Sequence, residues 1–219
     1  MSDKIENKAL RQYVYEHIRE LLDNQELPIG EKINKSELCK QFNVSQTPVN
    51  DALNKLVGEN YLEEIPRKGY FVREFKLKEL SDLFEIRAGI EGIAIRLCCE
   101  RASDERLHEL VHSFDEFKNK EPDEETLHHY VKVDKEFHRK IVKYSDNPKL
   151  QAILDSTGFI SRTYQRGLRK SFEDSMEEHK VITTALSNRD KDKAASSIVN
   201  HLLSSRDSIN KAIEAQGQN

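Results

Sequence analysis

The sequence is short of the residues that interrupt helices or join chains covalently. It has no tryptophan, and only five prolines and eight glycines among 219 residues, so a long helix meets few breakers. The three cysteines are Cys39, Cys98 and Cys99. The last two are neighbours that cannot pair with each other, and no C-x-x-C spacing of a zinc site occurs, so we expect buried reduced thiols.

Long hydrophobic runs and an excess of positive charge are also missing. No stretch approaches the roughly 20 apolar residues of a membrane helix, and the N-terminus has no cleavage-site pattern, so we expect a cytoplasmic protein with no membrane partner. The 37% apolar and 34% charged residues suit a helical protein with solvated faces. Residues 1–75 contain 11 Lys+Arg and 13 Asp+Glu. This net charge of −2 means that any contact with DNA must come from a local patch.

Residues 1–75 show three helical segments followed by two short strands. Apolar residues recur at helical spacing over 8–24. Ser36 is a candidate N-cap for a short helix, and Ser45 is the N-cap candidate for a helix that reaches about Asn60. Tyr61–Ile65 and Tyr70–Arg73 are β-prone, and the turn residues PRKG separate them. This order predicts an N-terminal winged helix-turn-helix domain over residues 1–75.

In a winged helix-turn-helix, the second helix of the pair enters the major groove and the hairpin tip reaches a flanking groove. Small polar side chains at the start of that helix can bond base edges or phosphates. The candidate DNA contacts are Ser45, Gln46, Thr47 and Asn50 on the helix, with Arg67, Lys68 and Gly69 at the hairpin tip. The alternative is a small helical domain whose hairpin contacts another protein.

The segment LCKQFNVSQTPVNDALNKLVGENYLEEIPRKGYFV resembles the DNA-binding domain of the GntR family of bacterial transcription regulators. The core V-S-x-T-P-V-x-x-A-L and the closing P-R-x-G-x-x-V both match, over roughly residues 8–73. The resemblance implies operator DNA as the partner. Many members have arginine where this chain has Gln46 and Asn50, and glutamate at Asp51, which implies an operator other than the family's usual one and weaker phosphate contacts.

From about Leu77 onward the pattern is entirely helical. The predicted segments lie near 77–101, 103–120, 123–145, 148–171, 173–188 and 191–214, separated by caps and breakers such as Ser103, Pro122 and Pro148. The fold class is therefore mainly α. An N-terminal winged helix-turn-helix is followed by an all-α antiparallel helical bundle over residues 76–219.

Two polar residues interrupt the apolar stripe of the helix predicted over 123–145. Asp134 and His138 lie at i and i+4, so they share a face with Tyr130, Phe137 and Ile141. A buried carboxylate beside a buried imidazole is unfavourable unless the two groups are paired or coordinate a metal.

Two later helices repeat this anomaly. His179 lies within the stripe of FEDSMEEHKVITTAL, and His201 lies at the margin of the stripe of AASSIVNHLLSSRDSI. One aspartate and three histidines suit a borderline divalent ion such as Zn²⁺ or Ni²⁺. The alternative is an Asp134–His138 hydrogen-bonded pair, with the other two as separately satisfied core histidines. The remaining histidines, His17, His108, His112, His128 and His129, are predicted on solvated or edge faces.

Residues 77–210 resemble the FCD domain, the helical effector-binding domain of the FadR subfamily of GntR regulators. LFEIRAGIEGIAIRLCCERA resembles its first helix, and DKEFH, EEHKVI and VNHLLSS resemble its metal-binding segments. The resemblance implies Asp134, His138, His179 and His201 as metal ligands. It also implies a homodimer and a small organic acid as effector.

A metal beside a buried arginine can bind a carboxylate from both sides. The candidate effector contacts are Arg87, Glu91, Arg162 and Arg166. The alternative for Arg87 is a structural ion pair with Glu91, one turn away. A metal-dependent hydrolase would need a general base, for which Glu91 is the nearest candidate. The sequence has no nucleophile motif or phosphate loop, so we expect no catalytic residues and no enzyme. A third possibility is a dimerisation domain whose metal is only structural.

Overall fold

The structure is a computed structural model that describes residues 2–24, 26–157 and 170–217. The chain forms two compact units, one built mainly from residues up to Phe75 and the other mainly from residues after Lys76. Among the described residues, no helix is both long enough and apolar enough to cross a membrane.

The first unit has three helices and a two-stranded antiparallel hairpin. Its elements are α1 (Ser2–Asp23), α2 (Lys35–Phe42), α3 (Gln46–Gly58), β1 (Leu62–Ile65) and β2 (Gly69–Val72). Leu62 pairs with Val72 and Ile65 with Gly69. Apolar side chains from all three helices and both strands form one core, which includes Ile18, Leu53 and Leu56. This arrangement confirms the predicted winged helix-turn-helix.

The caps of the two central helices differ in detail from the sequence prediction. Asn34, not Ser36, is the N-cap of α2, and its Oδ1 accepts hydrogen bonds from the backbone N–H groups of Ser36 and Glu37. Asparagine is as good a cap as serine, and the helix begins two residues earlier than a cap at Ser36 would place it. Ser45 is the N-cap residue of α3, but its side chain makes no capping hydrogen bond.

The second unit is entirely helical in its described residues. Its helices are α4 (Leu77–Arg101), α5 (Asp104–Val111), α6 (Glu124–Tyr144), α7 (Pro148–Thr157), α8 (Phe172–Ser187) and α9 (Lys191–Gly217), with a 3₁₀ turn at Asp115–Phe117. Contacts between Ser81 and Asn210 near one end and between Glu100 and Lys191 near the other show that α4 and α9 are antiparallel. The predicted mainly α fold is therefore confirmed.

Two predicted helices have different limits in the structure. The segment 103–120 is not one helix, because α5 ends at Val111 and a 3₁₀ turn follows. Phe114 and Phe117 are both buried, and their spacing of three residues fits the three residues per turn of a 3₁₀ helix. The segment 148–171 is helical through Thr157, and residues 158–169 lie outside the described part of the chain.

Helices α4 and α9 pack so closely that one glycine on α4 has no room for a side chain. A Cβ added to Gly92 would lie 2.8 Å from Cγ2 of Val199, and valine is stiff at χ1. Gly89, three residues earlier on the same helix, has nothing within 4 Å of an added Cβ.

The two glycines make a matched pair for a stability measurement. We expect Gly92→Ala to destabilise the protein by about 1–3 kcal/mol through overpacking. Gly89→Ala should stabilise it by roughly 0.5–1 kcal/mol, because alanine has the higher helix propensity. Urea unfolding followed by circular dichroism measures both changes. Equal effects of the two substitutions would contradict this account of the α4–α9 contact.

Candidate functional site

Three helices of the second unit bring four potential metal ligands together. Asp134 and His138 come from α6, His179 from α8 and His201 from α9, and all four are buried. Each offers one ligand atom, and these four atoms all lie within 4.8 Å of one another. A carboxylate and three imidazoles are a common donor set for Zn²⁺ and related divalent ions.

The amphipathic pattern of each helix places these side chains in the core. On α6, Tyr130, Asp134 and His138 follow one another at intervals of four residues, and Phe137 and Ile141 flank them on the buried face. On α8, His179 lies between buried Ile182 and the partly buried first turn, and its ring stacks on Phe114 at 4.1 Å between centroids. The apolar residues that bury the helices therefore also enclose the polar cluster.

Each histidine is held through its outer ring nitrogen. Nδ1 of His138 is bonded to a carboxylate oxygen of Glu91. Nδ1 of His201 lies 2.7 Å from Oε2 of Glu178, and Nδ1 of His179 lies 2.8 Å from the hydroxyl of Tyr130. A carboxylate accepts, so Nδ1 of His138 and His201 carries a proton, and in the neutral ring Nε2 then has a lone pair. Such outer partners fix the tautomer and ring orientation of metal-binding histidines.

The inner nitrogens are buried polar atoms without hydrogen bonds. Nε2 of His138 and Nε2 of His179 have no hydrogen-bond partner among the described residues. Asp134 Oδ1 lies 2.9 Å from Nε2 of His179 and 3.5 Å from Nε2 of His138. Buried nitrogens left unsatisfied are unfavourable, and a divalent ion among them would use their lone pairs. The donor set and its orientation therefore fit a metal ion.

The pKa values of two candidate ligands are lowered, which favours the deprotonated forms that bind metal. Burial alone would raise the pKa of Asp134, but the adjacent His179 and His138 hold that pKa well below its ordinary value. Burial, reinforced by the charge of His179, lowers the pKa of His201 to about 3. Metal ligands must be deprotonated, and both groups are deprotonated at neutral pH.

Arg87 and Glu91 form a buried ion pair on α4. Their side chains are 1% and 0% exposed. One oxygen of Glu91 bonds Nε of Arg87 and the other bonds His138. Burial raises the pKa of Glu91, yet the charges of Arg87 and His138 outweigh it and lower the pKa. The structural pair considered from the sequence is therefore present, and it is connected to the histidine cluster.

A cavity of about 80 Å³ adjoins the cluster. Asp134, His201 and Arg87 line it, so two candidate metal ligands and a guanidinium face the same space. Apolar walls come from residues such as Phe84, Leu127 and Phe172. Glu91 is not among the residues that line this cavity, and its two oxygens bond Arg87 and His138. A direct contact between Glu91 and an effector, expected from the sequence, stays a prediction.

Three residues at this site were missed by the sequence analysis. Tyr130 bonds His179, Glu178 bonds His201, and Lys170 donates to Glu178 and to the backbone oxygen of His201 at 2.7 Å. The position of Tyr130 one turn before Asp134 was a usable signal. Glu178 and Lys170 gave none, since their roles depend on how helices pack. Arg162 and Arg166, two predicted effector contacts, lie outside the described residues.

The other histidines lie away from this cluster. His108, His128 and His129 are exposed, and His112 is about half exposed and bonds Asp115. His17 is partly buried against Tyr13 and Phe42 in the first unit. Their positions agree with the solvated or edge faces expected from the sequence.

The first unit presents the predicted DNA contacts at two places. Ser45, Gln46 and Thr47 are exposed at the start of α3, and Asn50 is half-buried with no partner for its Oδ1 among the described residues. At the hairpin tip, Arg67 and Lys68 are exposed, Arg67 has a φ of 65°, and Gly69 has a φ of 104°. The turn is closed by a 3.0 Å hydrogen bond from Lys68 N to the oxygen of Ile65.

Comparison with known proteins assigns both units to families. Residues 10–72 match the gntR family of bacterial regulatory proteins, and residues 82–204 match the FCD domain. The chain is 35% identical over 180 residues to the Nta operon transcriptional regulator of Aminobacter aminovorans, covering 82% of this chain and 85% of that protein. It is 27% identical over 179 residues to a probable D-xylose utilization operon transcriptional repressor of Paenarthrobacter nicotinovorans, covering 80% and 78%.

The fold is shared with a solved structure, McbR/YncC of E. coli. The TM-score is 0.72 at 22% identity, covering 96% of this chain and 99% of that chain. The relatives are transcriptional regulators and not enzymes, which confirms the expectation that this chain is not an enzyme. The chain belongs to the gntR family of bacterial transcriptional regulators, with a GntR helix-turn-helix domain followed by an FCD domain.

Proposed function

We propose that this regulator binds a divalent metal ion, Zn²⁺ or Ni²⁺, and a small carboxylate effector that alters its affinity for operator DNA. The observation that carries the proposal is the cluster of Asp134, His138, His179 and His201, whose ligand atoms lie within 4.8 Å of one another beside a small cavity. These four residues would hold the ion. As a bound Lewis acid, the ion would attract a carboxylate.

The cavity supports a short acid as the effector. Its volume of about 80 Å³ is small beside the roughly 300–1,000 Å³ of pockets that hold drug-sized ligands. Arg87 faces the cavity, and a guanidinium can bond a carboxylate through two parallel N–H groups. Arg162 and Arg166 stay weaker candidate contacts.

We propose that the first unit binds operator DNA through Ser45, Gln46, Thr47 and Asn50 of α3 and through Arg67, Lys68 and Gly69 of the hairpin. The exposure of the α3 start and of the hairpin tip supports this assignment. The relative from Paenarthrobacter nicotinovorans is named a repressor, so we propose repression as the mode of regulation.

We propose a homodimer as the working form. One face of α4 supports a contact with a second copy, since Ile86 is 51% exposed and Ile93 is 54% exposed. They lie seven residues apart, so they share one side of the helix. A two-fold symmetric dimer would pair two hairpin-bearing units with the two halves of an operator.

The affinity of the metal-loaded protein for DNA tests the effector proposal. The DNA is a short duplex, selected beforehand from random sequences by its binding to the protein. We expect one acid from a panel of small carboxylates to change the affinity by roughly 5–150-fold, the usual range of allosteric coupling. His138→Ala should abolish this response and retain DNA binding without acid, whereas His108→Ala, an exposed control, should retain both. If no acid in the panel changes the DNA affinity, a purely structural metal is favoured. If an acid changes the DNA affinity of His138→Ala as much as that of the wild type, the role of the metal is contradicted.

A further inference from the structure

A cleft in the first unit gathers basic side chains from two parts of the chain. It lies between the segment Lys32–Ser36 and the hairpin tip Arg67–Tyr70, and its volume is about 610 Å³. We call it the basic cleft and define it by its four cations, Lys32, Lys35, Arg67 and Lys68. Lys32 and Lys35 were not among the contacts predicted from the sequence.

Backbone hydrogen bonds fix the arm of the cleft to the hairpin. Lys32 forms a β-bridge with Phe71, and the N–H of Ile33 donates to the oxygen of Tyr70 at 2.8 Å. The Asn34 cap then places Lys35 at the first residue of α2, where Nζ of Lys35 lies 5.5 Å from the centre of the Tyr70 ring. The four cationic residues therefore lie on one hydrogen-bonded backbone frame.

The same frame includes the recognition helix. The hydroxyl of Tyr70 donates to Oδ1 of Asn54 on α3 at 2.6 Å. Tyr70 and Leu53 also share the core of the unit. The cleft therefore has a fixed position relative to α3, and a ligand that contacts both α3 and the hairpin tip also reaches the cleft.

The cations of the cleft form no ion pair within the described residues of the unit. By contrast, Arg11 pairs with Asp51 at 3.1 Å and Lys55 reaches Glu59 at 4.0 Å. Residues 1–75 carry a net charge of −2, so this net charge does not reveal that four cations without ion pairs share one cleft. Such a patch attracts a polyanion.

We infer that the basic cleft binds the phosphate backbone of the operator beside the groove that α3 enters, and that Lys32 and Lys35 add two phosphate contacts to those of the hairpin tip. This inference rests on the DNA-binding function proposed above. Several separate cations in an open cleft suit consecutive phosphates better than one small anion. Contacts of this kind fix the register of a protein on the duplex and carry no sequence information.

Salt dependence of DNA binding tests this inference on the full-length protein. We would measure affinity for the selected duplex and for a random-sequence duplex between roughly 50 and 200 mM salt. Lys32→Gln and Lys35→Gln should each weaken binding to both duplexes by the same factor. Each should lower the slope of log affinity against log salt by about 0.9, the value for one lost phosphate contact.

Lys40→Gln is the matched control, because Lys40 is exposed in the last turn of α2 and lies outside the cleft. It makes the same change of charge, and its slope should equal that of the wild type. If the salt slopes of Lys32→Gln and Lys35→Gln match that of the control, the inference is overturned. Binding by the wild type would still support the DNA-binding function in that case. Weakening on only one duplex would also overturn it, since it would indicate base recognition. A wild type that binds neither duplex would refute the DNA-binding function itself.

Discussion

Replacing His179 with alanine is expected to remove most of the stabilisation that Zn²⁺ or Ni²⁺ gives to the helical unit. An ion present at about 1,000 times its dissociation constant stabilises the folded state by roughly 4 kcal/mol. In a protein of this size, that raises the unfolding midpoint by about 8–16 °C. This shift requires that the folded chain holds the ion and the unfolded chain does not.

The size of the loss follows from the geometry around His179. Its Nε2 faces Asp134 at 2.9 Å and its Nδ1 is held by Tyr130, so alanine removes a ligand that is already oriented. Loss of an outer partner alone lowers metal affinity by about 10–100-fold, and loss of a ligand should lower it at least as much. At the same metal concentration, a 100-fold weaker site would leave about 1.4 kcal/mol of stabilisation.

Thermal unfolding with and without metal, after treatment with a chelator, measures this effect. The quantity compared is the metal-induced shift within each variant, since removing a buried ring also destabilises the metal-free protein. His128→Ala is the matched control, because His128 is exposed on α6, away from the four buried ligands. The two units can unfold separately, so the transition of the helical unit should be followed. An equal shift in wild type and His179→Ala would refute metal binding at this cluster.

The metal cluster shows which features of a site helical periodicity can predict. Asp134 and His138 interrupt an apolar stripe, and that alone indicates that both side chains point into the core. Periodicity assigns a residue to a face of its own helix, but it does not identify the residue opposite. His179 and His201 come close to α6 because of how the helices pack. From the sequence, this proximity was predicted only through the resemblance to a family.

The outer partners of the cluster depend still more on tertiary contacts. Glu178 precedes His179 in the sequence, so the two side chains point in different directions, and Glu178 bonds His201 on another helix. The break after Val111 is similar, since burial of Phe114 and Phe117 favours a 3₁₀ turn over the continuous helix that propensity predicted. Local signals were sufficient for the helices, turn and strands of the winged helix-turn-helix, although Asn34 and not Ser36 caps α2.

Replacing Arg87 with methionine is expected to destabilise the helical unit by about 3–5 kcal/mol, the usual effect of breaking one partner of a buried ion pair. Arg87 and Glu91 are 1% and 0% exposed, so their charges are shielded from bulk water. Among the described residues, the carboxylate of Glu91 would retain His138 as its one partner. Methionine fills much of the same volume. The loss of stability would therefore come mainly from the missing charge and not from a cavity.

The same helix provides the control for this prediction. Arg96 also pairs with an aspartate, Asp192, but their side chains are 42% and 77% exposed. An exposed ion pair contributes about 0–1 kcal/mol, so Arg96→Met should change the unfolding free energy by no more than that. Urea unfolding of the metal-free protein measures both variants. If Arg87→Met and Arg96→Met lose similar amounts of unfolding free energy, the charge of the buried pair does not stabilise the fold as proposed.

A second substitution separates the structural role of Arg87 from a role in effector binding. Adding Glu91→Gln to Arg87→Met removes the unpaired charge but keeps an oxygen that can accept from His138, so part of the lost stability should return. Arg87→Lys keeps a positive charge beside Glu91 but lacks the two parallel donors of a guanidinium. If Arg87 anchors the effector, Arg87→Lys should stay folded and lose the response of DNA binding to the acid. A full response in that variant would leave Arg87 with the structural role alone.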